Sequence, residues 1–137
     1  MRQALLAFIR SRGRSFRYAF SGWWFVIRTQ RNAWIHALVS VLVILTGMWI
    51  GLGSREWAVI TIAIAMVWTA EFINTALEAV VDLASHQEHH ELARVGKDVG
   101  AAAVLIAAGS SVLIGLLVMG PLLWQKITLL LGGRATP

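Results

Sequence analysis

Three uncharged apolar runs decide what this chain can become. The first extends from about Ala33 to Gly53, the second opens at Trp57 and meets no charge before Glu71, and the third runs from Val99 to about Leu123. Roughly 20 apolar residues cross ~30 Å of hydrocarbon as a helix. Each run reaches that length, the second because its helical pattern continues to roughly Leu83. Over the 137 residues 58% are hydrophobic and 14% charged, against ~45–50% and ~25% in soluble domains. That balance excludes an ordinary soluble fold, and seven Trp exclude a disordered chain, which is polar and poor in aromatics. With no cysteine there is no disulfide framework, thiol chemistry or Cys-ligated metal. The expected fold is an all-α membrane protein with three transmembrane helices per subunit and an N-terminal amphipathic surface helix. The third span carries Gly100, Ala101, Ala102, Ala103, Ala107, Ala108, Gly109 and Ser110. Such small residues let helix backbones approach closely in lipid.

The charges are sorted along the chain. Residues 1–55 hold eight of the twelve basic residues and no acid, and all seven acids lie between Glu56 and Asp98. The basic residues Arg10, Arg12, Arg14, Arg17, Arg28 and Arg31 alternate with Phe16, Tyr18, Phe20, Trp23, Trp24 and Phe25. Arginine at lipid phosphates and Trp at headgroup level anchor a surface helix, predicted here around Ser15 to Arg28. Contact with a polyanionic substrate is the sharper reading of the same arm. A nucleic-acid partner is set aside, since the rest of the chain is too apolar to stay in water. The opening MRQALLAFIR has too short an apolar stretch for a signal peptide. The expected organisation is a basic amphipathic segment over 1–32, a three-span core over 33–123 and a short interfacial tail over 124–137. Lys and Arg concentrate before Asn32 and recur at Arg94 and Lys97. The positive-inside rule then places the N-terminus and the 84–97 loop in the cytoplasm, in a multi-pass protein of the inner or plasma membrane.

Polar residues interrupt the second run in a pattern. At 100° per residue Glu71, Asn74, Glu78 and Asp82 share one narrow helical stripe. Glu78 and Asp82 reach the cytoplasmic interface, whereas Glu71 lies about 9 Å deeper at 1.5 Å per residue. A carboxylate inside the membrane costs ~2.5 kcal/mol or more and points to function. The stripe could also bond neighbouring helices, but like charges make poor glue without a cation. Mg²⁺ suits such a site, since it binds through one or two carboxylates plus substrate phosphates. Glu71, beyond the metal, is placed to accept a proton. Lys97 and Asp98 open the third span on the same side, where Asp98 could instead be that helix's N-cap. His86, His89 and His90 have spacings that suit zinc, but a solvated loop is the preferred reading, because no open-site framework surrounds them. No Gly-rich phosphate loop of either common type is present. Any nucleotide must therefore be held by carboxylate-bound metal and basic groups.

The run AEFINTALEAVVD, followed by HEL and by GKDVGAAAVLIAA, resembles the small prokaryotic diacylglycerol kinase and undecaprenol kinase family. Glu71, Asn74, Thr75, Glu78, Asp82, Lys97 and Asp98 match the family motif in order. Upstream, Phe16 to Gly22 and the Arg31-Asn32…His36 stretch are similar to its surface helix and the start of its first span. The resemblance covers about residues 14–120. It implies a homotrimer with active sites at subunit interfaces, transferring the ATP γ-phosphoryl group to a lipid alcohol, either diacylglycerol or undecaprenol. On that resemblance Glu71 is the general base and Glu78 a metal ligand. Tyr18, Glu78, Lys97 and Asp98 belong to the nucleotide region, and Asn74 and Asp82 support the site. Where the family commonly has a second metal-binding Glu, this chain has Gln30, which offers an amide oxygen without charge. Two other readings stay open from the residues: a small oligomer conducting protons or cations through Glu71, and a catalytically silent assembly subunit.

Overall fold

The computed structural model describes the backbone of residues 2–86, 88 and 90–132, with side chains from Arg12 onward. Among the described residues there are four helices, α1 (Arg2–Thr29), α2 (Arg31–Ile50), α3 (Ser54–Ala84) and α4 (Glu91–Gly132), and no strand. Of these helices, α2, α3 and α4 are long and apolar enough to cross a membrane, as the three runs require. The chain forms two compact units, residues 1–34 and 35–137.

In the first unit, α1 begins well before the expected Ser15 and runs unbroken past Gly13. On a helix with ~100° per residue, Phe16, Phe20, Trp23 and Ile27 share one face, and Arg14, Arg17 and Arg28 lie on another. The guanidinium groups of Arg17 and Arg28 sit over the rings of Tyr18 and Trp24, 5.7 and 5.4 Å from their centroids. Cation and aromatic thus cover each other along the amphipathic face boundary. The helix gives way at Gln30, just after Thr29 turns its hydroxyl back onto the Phe25 carbonyl at 2.8 Å. Such back-bonding to residue i−4 bends helices.

In the second unit, α2 turns into α3 through Gly51, Leu52 and Gly53. Gly51 has φ +77°, a left-handed conformation that glycine adopts without a Cβ penalty. Leu52 then donates its N–H to the Gly47 carbonyl at 3.0 Å, the 6→1 bond of a Schellman ending. Position 47 itself favours glycine: a Cβ there would lie 2.9 Å from both Leu52 Cδ1 and Trp57, so one of these side chains would have to shift. Leu52 is thereby tucked in with Ile50, Ile60 and Met119, a small apolar core at the turn end of the bundle.

Helices α3 and α4 pack antiparallel along their lengths. Ser111 donates its hydroxyl to the Ala63 carbonyl at 2.9 Å, and Gly100 abuts Asn74. Small residues on α4 allow this approach, as expected for helices in lipid. The outward positions Leu105, Ile106, Leu113, Leu116 and Leu117 are exposed. A soluble monomer rarely displays an apolar patch of that extent, whereas hydrocarbon solvates it.

The helix that carries the third apolar run extends beyond it at both ends. It starts at Glu91 rather than Val99, because His90 caps it: Leu92 donates its N–H to His90 Nδ1 at 3.3 Å. Asp98 is therefore inside the helix, not its N-cap. At the other end, α4 passes through Pro121 to Gly132, so residues 124–132 continue the helix without a break. Proline removes the bond to the Leu117 carbonyl and crowds the residue before it. That residue is Gly120, which has no Cβ to clash. Breaking the helix would expose more backbone groups than the one carbonyl that proline leaves.

Candidate active site

The site grows from the face of α3 that the stripe predicts. Glu71, Asn74 and Thr75 are the buried polar residues of the helix, 1%, 7% and 5% exposed. Thr75 stays inside by donating its hydroxyl to the Glu71 carbonyl at 2.9 Å. Asn74 reaches one turn along the stripe, donating Nδ2–H to Glu78 Oε1 at 2.9 Å. Its Oδ1 is buried without a hydrogen-bond partner and lies against Gly100, where a Cβ would collide with it. The close approach of α4 thus fixes the Asn74 amide, and the amide fixes Glu78. Exposure rises along the stripe, from buried Glu71 to the more accessible Glu78 and Asp82.

Asp82 ends the stripe in an ion pair, its Oδ1 2.5 Å from Lys97 Nζ on α4. A cavity of about 360 Å³ opens beside this pair at the end of the α3–α4 hairpin, bordered by Asp82, Ser85, Glu88, His90, Ala93, Arg94 and Lys97. Its border carries two cations, Arg94 and Lys97, and two carboxylates, Asp82 and Glu88, so an anionic ligand would have to take up a cation in competition with carboxylates. Asp98 takes a different direction from its neighbour: its Oδ2 accepts from Arg94 Nη1 at 2.8 Å. Arg94 also holds Glu91 at 2.6 Å. Lys97 joins the α3 stripe, whereas Asp98 belongs to an exposed charge ladder on the first turns of α4.

His36 on α2 is the residue that sequence reasoning passes over. Its Nε2 lies 3.6 Å from Glu71 Oε2, and both atoms are buried without a hydrogen-bond partner. The His36 ring meets Trp68 edge-on, with centroids 6.3 Å apart. Trp68 in turn donates its indole N–H to Ser40 Oγ at 3.2 Å. A signal for this is present in the hairpin arithmetic. His36 stands sixteen residues before Leu52 and Glu71 nineteen after it, so an antiparallel pair turning at Leu52 brings the two to similar depth.

A metal would find oxygen ligands here but no closed cage. Among the described residues no three His, Asp or Glu side chains converge. The zinc reading of the 86–90 loop gains no support: His90 is turned onto its own helix, and His89 lies outside the described residues. The accessible Glu78 carboxylate, supported by the Asn74 amide, fits a hard cation that takes its remaining ligands from phosphate and water. Tyr18 and Gln30 belong to the first compact unit.

The model of one family, prokaryotic diacylglycerol kinase, matches residues 17–119. The chain belongs to this family. The match takes in the whole α3 stripe, His36 and the Lys97 side of α4. Similar proteins include a diacylglycerol kinase of Synechocystis sp., 44% identical over 110 residues that cover 80% of this chain. The undecaprenol kinase of Bacillus subtilis is 39% identical over 108 residues, covering 79% of this chain and 87% of its own length. The diacylglycerol kinase of Escherichia coli K12 is 31% identical over 102 residues, 69% of this chain and 80% of its own. The chain spans 63% of the length of the Synechocystis relative. Nothing in these likenesses supports an ion-conducting oligomer.

Proposed function

We propose that this protein is an integral-membrane kinase that transfers the γ-phosphoryl group of ATP to the hydroxyl of a lipid alcohol, diacylglycerol or undecaprenol. The observation that carries the reading is the graded stripe on α3. It puts a buried carboxylate, Glu71, behind a water-accessible one, Glu78, on a chain whose relatives are named kinases for these two lipids. Phosphoryl transfer asks a protein mainly for positioning and charge neutralisation; the stripe serves the first, and a cation held at Glu78, with Lys97, would serve the second.

A lipid alcohol at the interface presents one hydroxyl, with its chains in hydrocarbon. Glu71 receives the hydroxyl proton as the oxygen attacks the γ-phosphorus and the bond to the ADP oxygen breaks. Asn74 holds Glu78 in place through its Nδ2–H. Glu78 and Gln30 would hold Mg²⁺, which when bound supplies positive charge to the phosphate oxygens. Lys97, kept at the stripe by Asp82, borders the cavity where phosphates would dock. Tyr18 and Asp98 complete the nucleotide side on this reading, with Asp98 orienting Arg94. The N-terminus and the site face the cytoplasm, where ATP is found, in the inner or plasma membrane. The subunits form a homotrimer with active sites between them, consistent with the apolar surface that α2 and α4 leave exposed.

The test is transfer of ³²P from ATP into lipid by the purified full chain, with diacylglycerol, undecaprenol and a sphingoid base offered separately. Radiolabelled phosphatidic acid or undecaprenyl phosphate, formed only with a divalent cation present, is expected. No labelled lipid with any acceptor would overturn the reading.

A further inference from the structure

The imidazole of His36 has no part in the scheme above, although it faces the residue on which that scheme depends. Its Nε2 and Glu71 Oε2 are 3.6 Å apart and both are sealed from water. That separation is about half an ångström beyond a hydrogen bond, a looseness common in catalytic groups before substrate arrives. Two buried polar atoms left unpaired are costly. An apolar residue at position 36 would join α2 to α3 without the cost of the imidazole nitrogen, so packing alone does not account for histidine.

The surroundings of the ring point the same way. Trp68 packs edge-on against His36 and is itself tied to Ser40 on α2. Ser40 and His36 are four residues apart on one face of α2, as are Trp68 and Phe72 on α3, whose rings also meet at 6.0 Å. The imidazole is thus held from its side by an anchored aromatic, with its nitrogen end toward the carboxylate. The titratable groups that act on Glu71 are His36 from α2 and Glu78 from its own helix. Of these, His36 alone can donate a hydrogen bond to a carboxylate.

We propose that His36 is a positioning residue that acts on phosphoryl transfer through Glu71. The inference rests on the reading of Glu71 as the proton acceptor. As the lipid oxygen bonds to phosphorus and the bond to the ADP oxygen breaks, the hydroxyl proton passes to one Glu71 oxygen. The Nε2–H of His36 holds the other oxygen and fixes the carboxylate's rotamer. Loss of that hold leaves a carboxylate of unchanged chemistry in the wrong orientation. A misplacement of about 1 Å can cost ~10²-fold in rate.

A double-mutant cycle tests this. kcat and the KM for ATP are measured by ³²P transfer for the full-length wild type, His36→Gln, Glu71→Gln and the double variant. His36→Gln should lower kcat by ~10–100-fold and leave the KM for ATP within about twofold, the pattern of a lost transition-state contribution. Glu71→Gln keeps a measurable residue of activity, since a general base contributes ~10²–10⁴-fold. In that background His36→Gln should cost nothing further, because the residue acts through Glu71. Equal losses in both backgrounds, or a His36→Gln variant with wild-type kcat, overturn the proposal. If His36→Gln fails to fold, Trp68→Phe serves instead, for it leaves both partners present but releases the tie to Ser40. Its kcat loss must likewise vanish in the Glu71→Gln background, and a loss that persists overturns the proposal. A wild type that labels no lipid would fail the kinase reading itself. An active wild type whose Glu71→Gln variant is equally fast would fail the base assignment.

Discussion

His36 Nε2 and Glu71 Oε2 meet 3.6 Å apart across the α2–α3 hairpin, and neither atom has a hydrogen-bond partner. The pair sits at the inner end of a stripe whose outer end is an ion pair at 2.5 Å, Asp82 with Lys97. The outer carboxylate is thus paired where water reaches, and the inner one is left open where it does not. That is the reverse of what stability favours, because an unmet polar group costs most in low dielectric. Proteins retain such groups where function requires them.

Glu71→Gln follows directly. Glutamine is nearly the same size but takes up no proton, so lipid phosphorylation should fall by ~10²–10⁴-fold with helix content unchanged. The variant should also unfold at a higher temperature. It removes a carboxylate that is 1% exposed, and its amide oxygen can still accept from the His36 Nε2–H. Circular dichroism on heating, beside the ³²P assay, measures both effects. A variant that is inactive and less heat-stable would assign Glu71 to structure instead.

Gly100→Ala tests how α4 sets the site. The added methyl would overlap Asn74 Oδ1, and Asn74 is too short to yield without giving up its bond to Glu78. Inserting one methylene-sized group into a packed site costs ~1–3 kcal/mol. The expected result is a lower melting temperature together with a weaker Mg²⁺ response, since Glu78 loses its support. Gly109→Ala is the control: a Cβ there meets nothing, so both properties should stay near wild type.

Much of this fold is legible in the amino-acid sequence. Three charge-free runs mark the spans, and the 100° spacing puts Glu71, Asn74, Glu78 and Asp82 on the face that the fold uses. The ends of α4 depart from expectation for a physical reason. A charge at Lys97 or a proline at position 121 reads as a boundary in sequence, yet the helix crosses both. His90 supplies the N-cap earlier, and Gly120 removes the clash that proline would cause. His36 escapes a reading of the sequence because one histidine near the start of an apolar run has no periodic partner. Its meaning appears only when two helices are folded together at Leu52. Asp98 shows the converse: adjacency to Lys97 suggests a shared role, but neighbours on a helix point ~100° apart, and Arg94 claims it.

The Asp82–Lys97 pair should matter more for nucleotide than for folding. Their side chains are 45% and 40% exposed, and pairs this accessible contribute only ~0.2–1 kcal/mol. Lys97→Met should therefore leave the melting temperature within a few degrees of wild type while raising the KM for ATP. Asp82→Asn should shift ATP affinity less, because it leaves the ammonium in place and only frees it. Unchanged ATP kinetics in Lys97→Met would remove the lysine from the nucleotide site.

Gln30 and Glu78 make the last prediction, on divalent metal. Mg²⁺ binds through one or two carboxylates and keeps its other positions for phosphate and water, so on the proposed reading Glu78 is the charge the metal would depend on. Glu78→Gln removes that charge, although it keeps a group for the Asn74 Nδ2–H to reach. Activity should be lost at ordinary Mg²⁺ and return, in part, only at much higher concentration. Gln30→Glu runs the other way, exchanging an amide oxygen for a carboxylate. The Mg²⁺ titration of that variant should reach half-saturation at lower concentration, with the melting temperature little changed because Gln30 stands between helices rather than within one. Both titrations are run at saturating ATP, so that a change in nucleotide affinity is not read as a change in metal affinity. If Glu78→Gln alters the Mg²⁺ titration and Gln30→Glu does not, the metal rests on Glu78 alone. If neither does, the metal site is not on these residues.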